Sequence, residues 1–223
     1  MTREELASYI DHTLLNTEAG VKDIVRLCQE AIKFNFASVC VNPVYVPLAV
    51  SELQNTPVKI CTVVGFPLGA VSTDDKVCET KNAIQNGADE IDMVINVGYL
   101  KSGRHEEILN EIKAVRSVCV GKILKVIIET CLLTDDEKKA MCSIVFEGGA
   151  DFIKTSTGFS HGGATPEDVA LFAENVPFGL KIKAAGGIKT LEDAESFLKL
   201  GATRLGTSRV VKIIKSEENI SGY

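Results

Sequence analysis

Gly148-Gly149-Ala150-Asp151-Phe152-Ile153-Lys154-Thr155-Ser156-Thr157-Gly158 is a run in which glycines close one element and bound the next. The segment between Gly149 and Gly158 has the length of a strand, not of a helix. Its opening junction recurs as Asn86-Gly87-Ala88-Asp89 and Leu200-Gly201-Ala202-Thr203, each ending a helical pattern and starting a strand. Alternation along the strand puts Phe152 and Lys154 on one face and Ile153 and Thr155 on the other. An ammonium aimed into a core is costly unless it is paired or deprotonated. Such lysines shift their pKa readily, which is how Schiff-base lysines arise. The plain alternative is a strand-end lysine with its head in solvent.

Outward from this run the chain keeps one rhythm. Residues 2–9 form a short N-terminal helix, with Thr2 as N-cap and Glu5 completing a capping box. Asp11–Leu15 is a minimal strand, 20–33 a helix, and 36–41 a strand stopped by Asn42-Pro43. Strands are expected at 58–64, 90–95 and 122–128, and helices at 73–86, 104–118 and from the Thr134 cap to Glu147. Thr165-Pro166-Glu167-Asp168 opens another helix. Strands at 180–184 and 203–206 alternate with helices at 190–199 and 208–215. Eight strands alternating with helices imply a parallel sheet. In one α/β domain spanning 1–223 they fit a (β/α)8 TIM barrel. An open doubly wound sheet is the alternative, but no GxGxxG fingerprint follows the first strand.

With 223 residues, 45% of them hydrophobic, the chain can bury a sizeable core. A net charge of −6, with no long basic run, argues against nucleic acid and acidic membrane as partners. A small anionic substrate is compatible with a locally positive site. Seven cysteines, an odd number without a CxxC, suggest neither a disulfide framework nor a zinc ribbon. They fit a reducing cytoplasm. The start Met1-Thr2-Arg3-Glu4-Glu5 lacks a signal-peptide pattern, and no apolar run reaches the length of a membrane span. His12, His105 and His161 have no metal-binding spacing, so neither metal nor other cofactor is expected.

Barrel active sites lie at the C-terminal ends of the strands. The polar residues within or ending strands are Asp11, Asp92, Lys125, Glu129, Lys154 and Lys183. Lys183 is on the strand after that of Lys154, and neighbouring strands run about 4.8 Å apart. Two ammonium groups so close repel, so at least one should release its proton below the usual value of about 10.4. A lysine beside another cation is a known route to a nucleophilic amine. Asp92 could accept and return protons, and Glu90 beside it is harder to exclude. Lys181 lies deeper and reads as structural, and Lys125 with Glu129 reads equally well as a structural ion pair. Gly186-Gly187-Ile188-Lys189 and Gly206-Thr207-Ser208 follow the last two strands, where barrels often bind phosphate on backbone N–H groups.

Four segments carry a resemblance: Gly87–Val94, Lys125–Thr130, Phe152–Gly158 and Lys183–Ile188. With Ile10-Asp11-His12-Thr13-Leu14, they make nearly the whole chain similar to the deoxyribose-phosphate aldolases, class I aldolases with a (β/α)8 barrel. The resemblance implies reversible cleavage of 2-deoxy-D-ribose 5-phosphate into acetaldehyde and D-glyceraldehyde 3-phosphate, within deoxyribonucleotide catabolism. It places the Schiff-base lysine on Lys154, the second catalytic lysine on Lys183 and the catalytic aspartate on Asp92. The phosphate loops fall on Thr157, Gly158, Gly186, Gly187, Gly206 and Ser208. Asp11, Lys125 and Cys40 would support the proton relay, and the terminal Tyr223 would assist proton exchange on bound acetaldehyde. The hydroxyls of Thr155-Ser156-Thr157 could orient the imine and its water. Some members carry a lysine after the KTSTG segment, where Phe159 stands here. Partners are then a sugar phosphate and acetaldehyde, with a homodimer also allowed. The rivals are another Schiff-base aldolase and a non-catalytic sugar-phosphate sensor. The sensor would keep the glycine loops without needing Lys154, Lys183 and Asp92 together.

Overall fold

Local rules place the elements before packing does. Thr2 caps α1 (Arg3–Ala7), and its side chain and Glu5 form the expected capping box. Ser72, Thr134, Thr165 and Thr190 likewise cap α4 (Thr73–Gln85), α7 (Asp135–Glu147), α8 (Pro166–Asn175) and α9 (Leu191–Lys199). Each cap supplies an acceptor to an N–H that the helix cannot satisfy itself, typically stabilising by about 1 kcal/mol. Gly87, Gly149 and Gly201 adopt φ of 104°, 78° and 111°. Side chains with a Cβ rarely tolerate that region, so the repeated helix-to-strand junction requires its glycine.

The computed structural model describes residues 1–209 and 211–212. Its strands are β1 (Ile10–Leu14), β2 (Ser38–Val41), β3 (Lys59–Val64), β4 (Glu90–Val94), β5 (Ile123–Ile127), β6 (Phe152–Lys154), β7 (Lys181–Ala185) and β8 (Arg204–Thr207). They are parallel and close in order, β8 returning to β1 with Asp11 opposite Gly206. Helices α2 (Val21–Phe34) and α6 (His105–Val118) complete the expected set. Half of the last expected helix, 208–215, lies outside the described residues, and Tyr223 lies entirely outside them.

Two short helices were not expected from the sequence. After β2, a 3-10 turn (Pro43–Tyr45) runs into α3 (Val46–Glu52). Pro43 does stop the strand, but Pro43 and Pro47 occupy first-turn positions, where the missing N–H costs nothing. Helix α5 (Val97–Lys101) is capped by Asn96 and too short to show a period.

Side-chain alternation sorts two different interiors. The outward residues, such as Ile91, Met93, Leu124, Val126, Ile153 and Leu205, join the helices in one continuous apolar core. Each fully buried residue of this kind stabilises by roughly 1.5–3 kcal/mol. A smaller apolar cluster of Leu15, Cys40, Cys61 and Val63 lies apart from it. The inward face also carries Val94, Ile127 and Phe152, and its charged side chains position the site.

Candidate active site

Seven ionisable side chains meet inside the barrel: Asp11, Glu90, Asp92, Lys125, Lys154, Lys183 and Arg204. Asp92 is their hub and is fully buried. Its Oδ2 accepts from Lys154 Nζ and from Lys183 Nζ, each at 2.7 Å. Its Oδ1 accepts from Lys125 Nζ at 2.8 Å and from the Cys61 thiol at 3.2 Å. Burial alone would raise the Asp92 carboxyl, but Lys125, Lys154 and Lys183 together hold it well below the usual carboxylate range.

The shared oxygen follows from register. Lys154 pairs with Lys183 across β6 and β7, and Asp92 with Lys125 across β4 and β5. Lys183 also donates to Asp11 Oδ2, whose Oδ1 accepts from Arg204 at 2.6 Å and from Ser38 at 2.7 Å. Burial would lower the Lys183 ammonium, but Asp11 and Asp92 outweigh it and hold it above its ordinary value. Lysine repulsion therefore does not neutralise Lys183. Asp11, despite burial, is held below the carboxylate range by Lys183, Lys125 and Arg204.

Lys125 does not pair with Glu129. It reaches Glu90 at 2.6 Å and Asp92, and it lies 3.7 Å from Asp11. Glu129 sits beyond the end of β5, at a left-handed φ of 56°. That backbone costs about 1–2 kcal/mol for a residue with a Cβ. From there its carboxylate accepts from the Thr157 N–H at 3.3 Å and from the Thr157 hydroxyl. The Thr155 hydroxyl is also committed, donating to the Ala185 carbonyl at 3.2 Å and accepting from the Ala185 N–H at 3.1 Å. Ser156 Oγ is buried without a partner. The three hydroxyls after Lys154 thus brace the strand ends, or stay buried, and do not hydrogen-bond the lysine.

Above the network a cavity of about 240 Å³ opens at the barrel mouth. Its walls include Lys154, Thr157, Gly158, Gly186, Gly187, Gly206 and Ser208, so every expected loop residue reaches it. Lys183, Asp92, Asp11, Lys125 and Cys40 lie outside its lining, and of the seven charged barrel residues Lys154 alone contributes to it. Gly186 and Gly187 take φ of 81° and 82°, and Gly163 packs so closely on Gly186 that a Cβ there would fall 2.6 Å from its carbonyl carbon. Lys189 and Arg209 also line the cavity, whose wall holds no carboxylate among the described residues. Neither Lys189 nor Arg209 is assigned a role by the sequence alone. The Lys189 and Thr190 N–H groups are already taken by Asp193 Oδ2, at 2.9 and 3.0 Å. An anion would therefore rest on the glycine turns and these two cations, not on the start of α9.

Arg204 and Glu90 are the network members that sequence reading left out or undecided. Arg204 shares inward parity with Gly206 on β8, which was the available signal. Lys181, read from the sequence as lying deeper and structural, is exposed at the start of β7, with its ammonium 5.5 Å from the Phe152 ring centroid. Cys40 sits beside its register partner Cys61. Cys40, Cys61 and Asp92 bring ligand-type atoms within 4.8 Å of one another, as do Asp11, Cys61 and Glu90. Lys125 Nζ already holds a cation's place there, bonding Cys61 at 3.3 Å together with Asp92 and Glu90.

Residues 6–211 match the family described as DeoC/LacD family aldolase. A deoxyribose-phosphate aldolase of Clostridium botulinum (strain Kyoto / Type A2) is 56% identical over 211 residues, covering 95% of this chain and 100% of the relative. One from Streptococcus gordonii is 53% identical, covering 98% of this chain and 100% of the relative. The structure of deoxyribose phosphate aldolase from Aeropyrum pernix, described as tetrameric, superposes with a TM-score of 0.89 at 33% identity, covering 98% of this chain and 93% of that one.

Proposed function

We propose a division of roles that starts from one premise: the chain belongs to the deoxyribose-phosphate aldolase family. Its activity is the reversible cleavage of 2-deoxy-D-ribose 5-phosphate to acetaldehyde and D-glyceraldehyde 3-phosphate. Lys154 is the nucleophile. The observation that carries this is its double position, on Asp92 Oδ2 in the network and in the wall of the mouth cavity.

Charge counting supports it. Four cations, Lys125, Lys154, Lys183 and Arg204, face three carboxylates, Asp11, Glu90 and Asp92, so one neutral lysine balances the interior. Neutral Lys154 adds to the substrate aldehyde, and loss of water with uptake of one proton from solvent gives the protonated imine. The hydroxyl on the third carbon gives its proton, through water, to the Lys183–Asp92 pair. The bond between the second and third carbons breaks, and its electrons enter the iminium to form an enamine. Glyceraldehyde 3-phosphate leaves, the pair returns a proton to the enamine carbon, and water frees acetaldehyde. Lys183 and Asp92 share one oxygen contact and act as a coupled unit. The phosphate lies on Gly186, Gly187, Gly206 and Ser208, with Lys189 and Arg209 supplying positive charge.

The test is covalent. Incubation with acetaldehyde and borohydride, followed by peptide mapping, should label Lys154, and Lys154→Ala should form no adduct at any pH. A label on Lys183 with Lys154 clean would reverse the assignment. No label on either would favour the sensor. Tyr223 is proposed to assist proton exchange; deleting it should slow turnover without moving the melting temperature. We extend the reading to a homodimer in a cytosolic setting. All seven cysteines are free, and among the described residues no helix is long and apolar enough to cross a membrane. Sedimentation tests the dimer.

A further inference from the structure

A second, smaller chamber of about 120 Å³ adjoins the catalytic cavity. The two share Thr157 and Phe159 as walls, the segment that follows Lys154 along the chain. The chamber is otherwise lined mainly by Pro67, Leu68, Val94, Val97 and Leu132, from the ends of β3, β4 and β5. Its polar groups are already engaged: Glu129 holds Thr157, and the Ser160 hydroxyl lies 3.4 Å from the Cys131 thiol. A ligand there gains apolar contact and little else. Large apolar side chains are nevertheless left open around it, Leu68 being 77%, Phe159 50% and Leu132 41% exposed. Phe159 is braced edge-to-face on Phe66, with centroids 5.2 Å apart. An exposed apolar cluster beside a reactive lysine is more than scattered surface hydrophobicity.

We propose that this chamber is a second acceptor subsite, which takes the carbon chain of an unphosphorylated, apolar aldehyde in the synthetic direction. The inference rests on Lys154 as the imine-forming lysine. The enamine carbon of the Lys154–acetaldehyde adduct bonds to the acceptor's carbonyl carbon. The carbonyl oxygen takes the proton that the Lys183–Asp92 pair received when the enamine formed. Water then hydrolyses the iminium, restoring Lys154 and freeing a 3-hydroxyaldehyde. A phosphorylated acceptor is drawn to the glycine loops, whereas an alkyl tail has nothing to gain there and crosses Phe159 into the chamber.

The experiment measures KM for propanal, butanal, pentanal and hexanal with acetaldehyde as donor. KM should fall roughly fourfold per added CH₂ until the chamber is full. In Leu68→Ser/Leu132→Ser, with folding checked by melting temperature, the decrease should shrink to less than about twofold per carbon. Inorganic phosphate should compete with glyceraldehyde 3-phosphate but not with hexanal. A flat series in the unmodified enzyme, an unchanged slope in the double variant, or competition between phosphate and hexanal would each overturn the subsite. Those failures, in an enzyme that still cleaves deoxyribose phosphate, leave the Lys154 assignment standing. Absence of any borohydride-trapped adduct would overturn both.

Discussion

Among the described residues, buried lysines occur in two places, and they are not alike. Lys76, on α4, is fully buried between the sheet and α6. Its ammonium meets Glu111 at 2.6 Å and the Val94 carbonyl at 2.8 Å, and Glu111 in turn accepts from the Asn96 N–H at 3.2 Å. One cation faces one carboxylate in a closed site. Burial draws the Lys76 ammonium down and pushes the Glu111 carboxyl up, although each partner opposes the other's shift. Inside the barrel, cations outnumber carboxylates, two lysines share one oxygen, and one of them opens to a cavity. Burial is common to both sites. Excess positive charge and access are what separate the proposed nucleophile from Lys76, which ties α4 to β4 and α6.

The contrast is broken or sharpened by substitution. The largest effect is expected at Lys154→Ala, where turnover should fall on the order of 10⁴-fold or more. Its stability should change little, because the remaining three cations and three carboxylates balance; a large drop in urea midpoint would contradict that count. Lys76→Met should do the reverse. Leaving Glu111 buried and unpaired costs about 3–5 kcal/mol, readable in urea titration, and Lys76→Met/Glu111→Leu should recover much of it. The folded fraction should still label on Lys154.

Lys183→Leu comes next. Turnover should fall about 10²- to 10³-fold through lost proton transfer. Adduct formation should survive and shift to higher pH, since a repelling cation beside Lys154 is gone. A shift to lower pH would mean that Lys183 acts on Lys154 chiefly through Asp92. Gly187→Val has a narrower expected effect. Its φ disfavours a branched side chain, and the turn is the proposed seat of the phosphate. Cleavage of deoxyribose phosphate should suffer about tenfold or more relative to unphosphorylated deoxyribose, an advantage on the scale of one charge-assisted hydrogen bond. Equal losses would make the turn purely structural.

Acid is the mildest probe. Asp11 and Asp92 have folded values depressed from an ordinary 3.8. The stability they contribute is therefore present above about pH 4 and is lost progressively as pH falls below it. Asp92→Asn should flatten that acid limb in a pH series of urea midpoints.

Much of this was legible in order along the chain. The glycine junctions, the caps and the parity of Lys154, Lys183 and Asp92 are short-range signals, and they suffice for the barrel and the centre of its network. The missed pieces depend on what meets across the molecule. Lys125 and Glu129 share parity, yet Glu129 has already left the strand when it turns toward Thr157. Thr155 and Thr157 look free beside Lys154 in sequence, while their partners, Ala185 on β7 and Glu129 just past β5, come from elsewhere in the chain. Lys76 gave no warning, because α4 is polar on most faces and its partner is 35 residues away. The apolar chamber draws on several strand ends and no single motif encodes it. Helix α3 was hidden by prolines that read as breakers and serve as starters.

The seam between β1 and β8 has a consequence in time. Asp11 bonds Lys183 and Arg204, partners separated from it by 172 and 193 residues. Contacts of such long sequence separation form late and slowly, and large chains pass through partly assembled intermediates. A chain emerging from the ribosome thus exposes Asp11 first and must hold it without Lys183 and Arg204 until the seventh and eighth strands are made. Completion of this charged network and the last step of barrel closure are then one event.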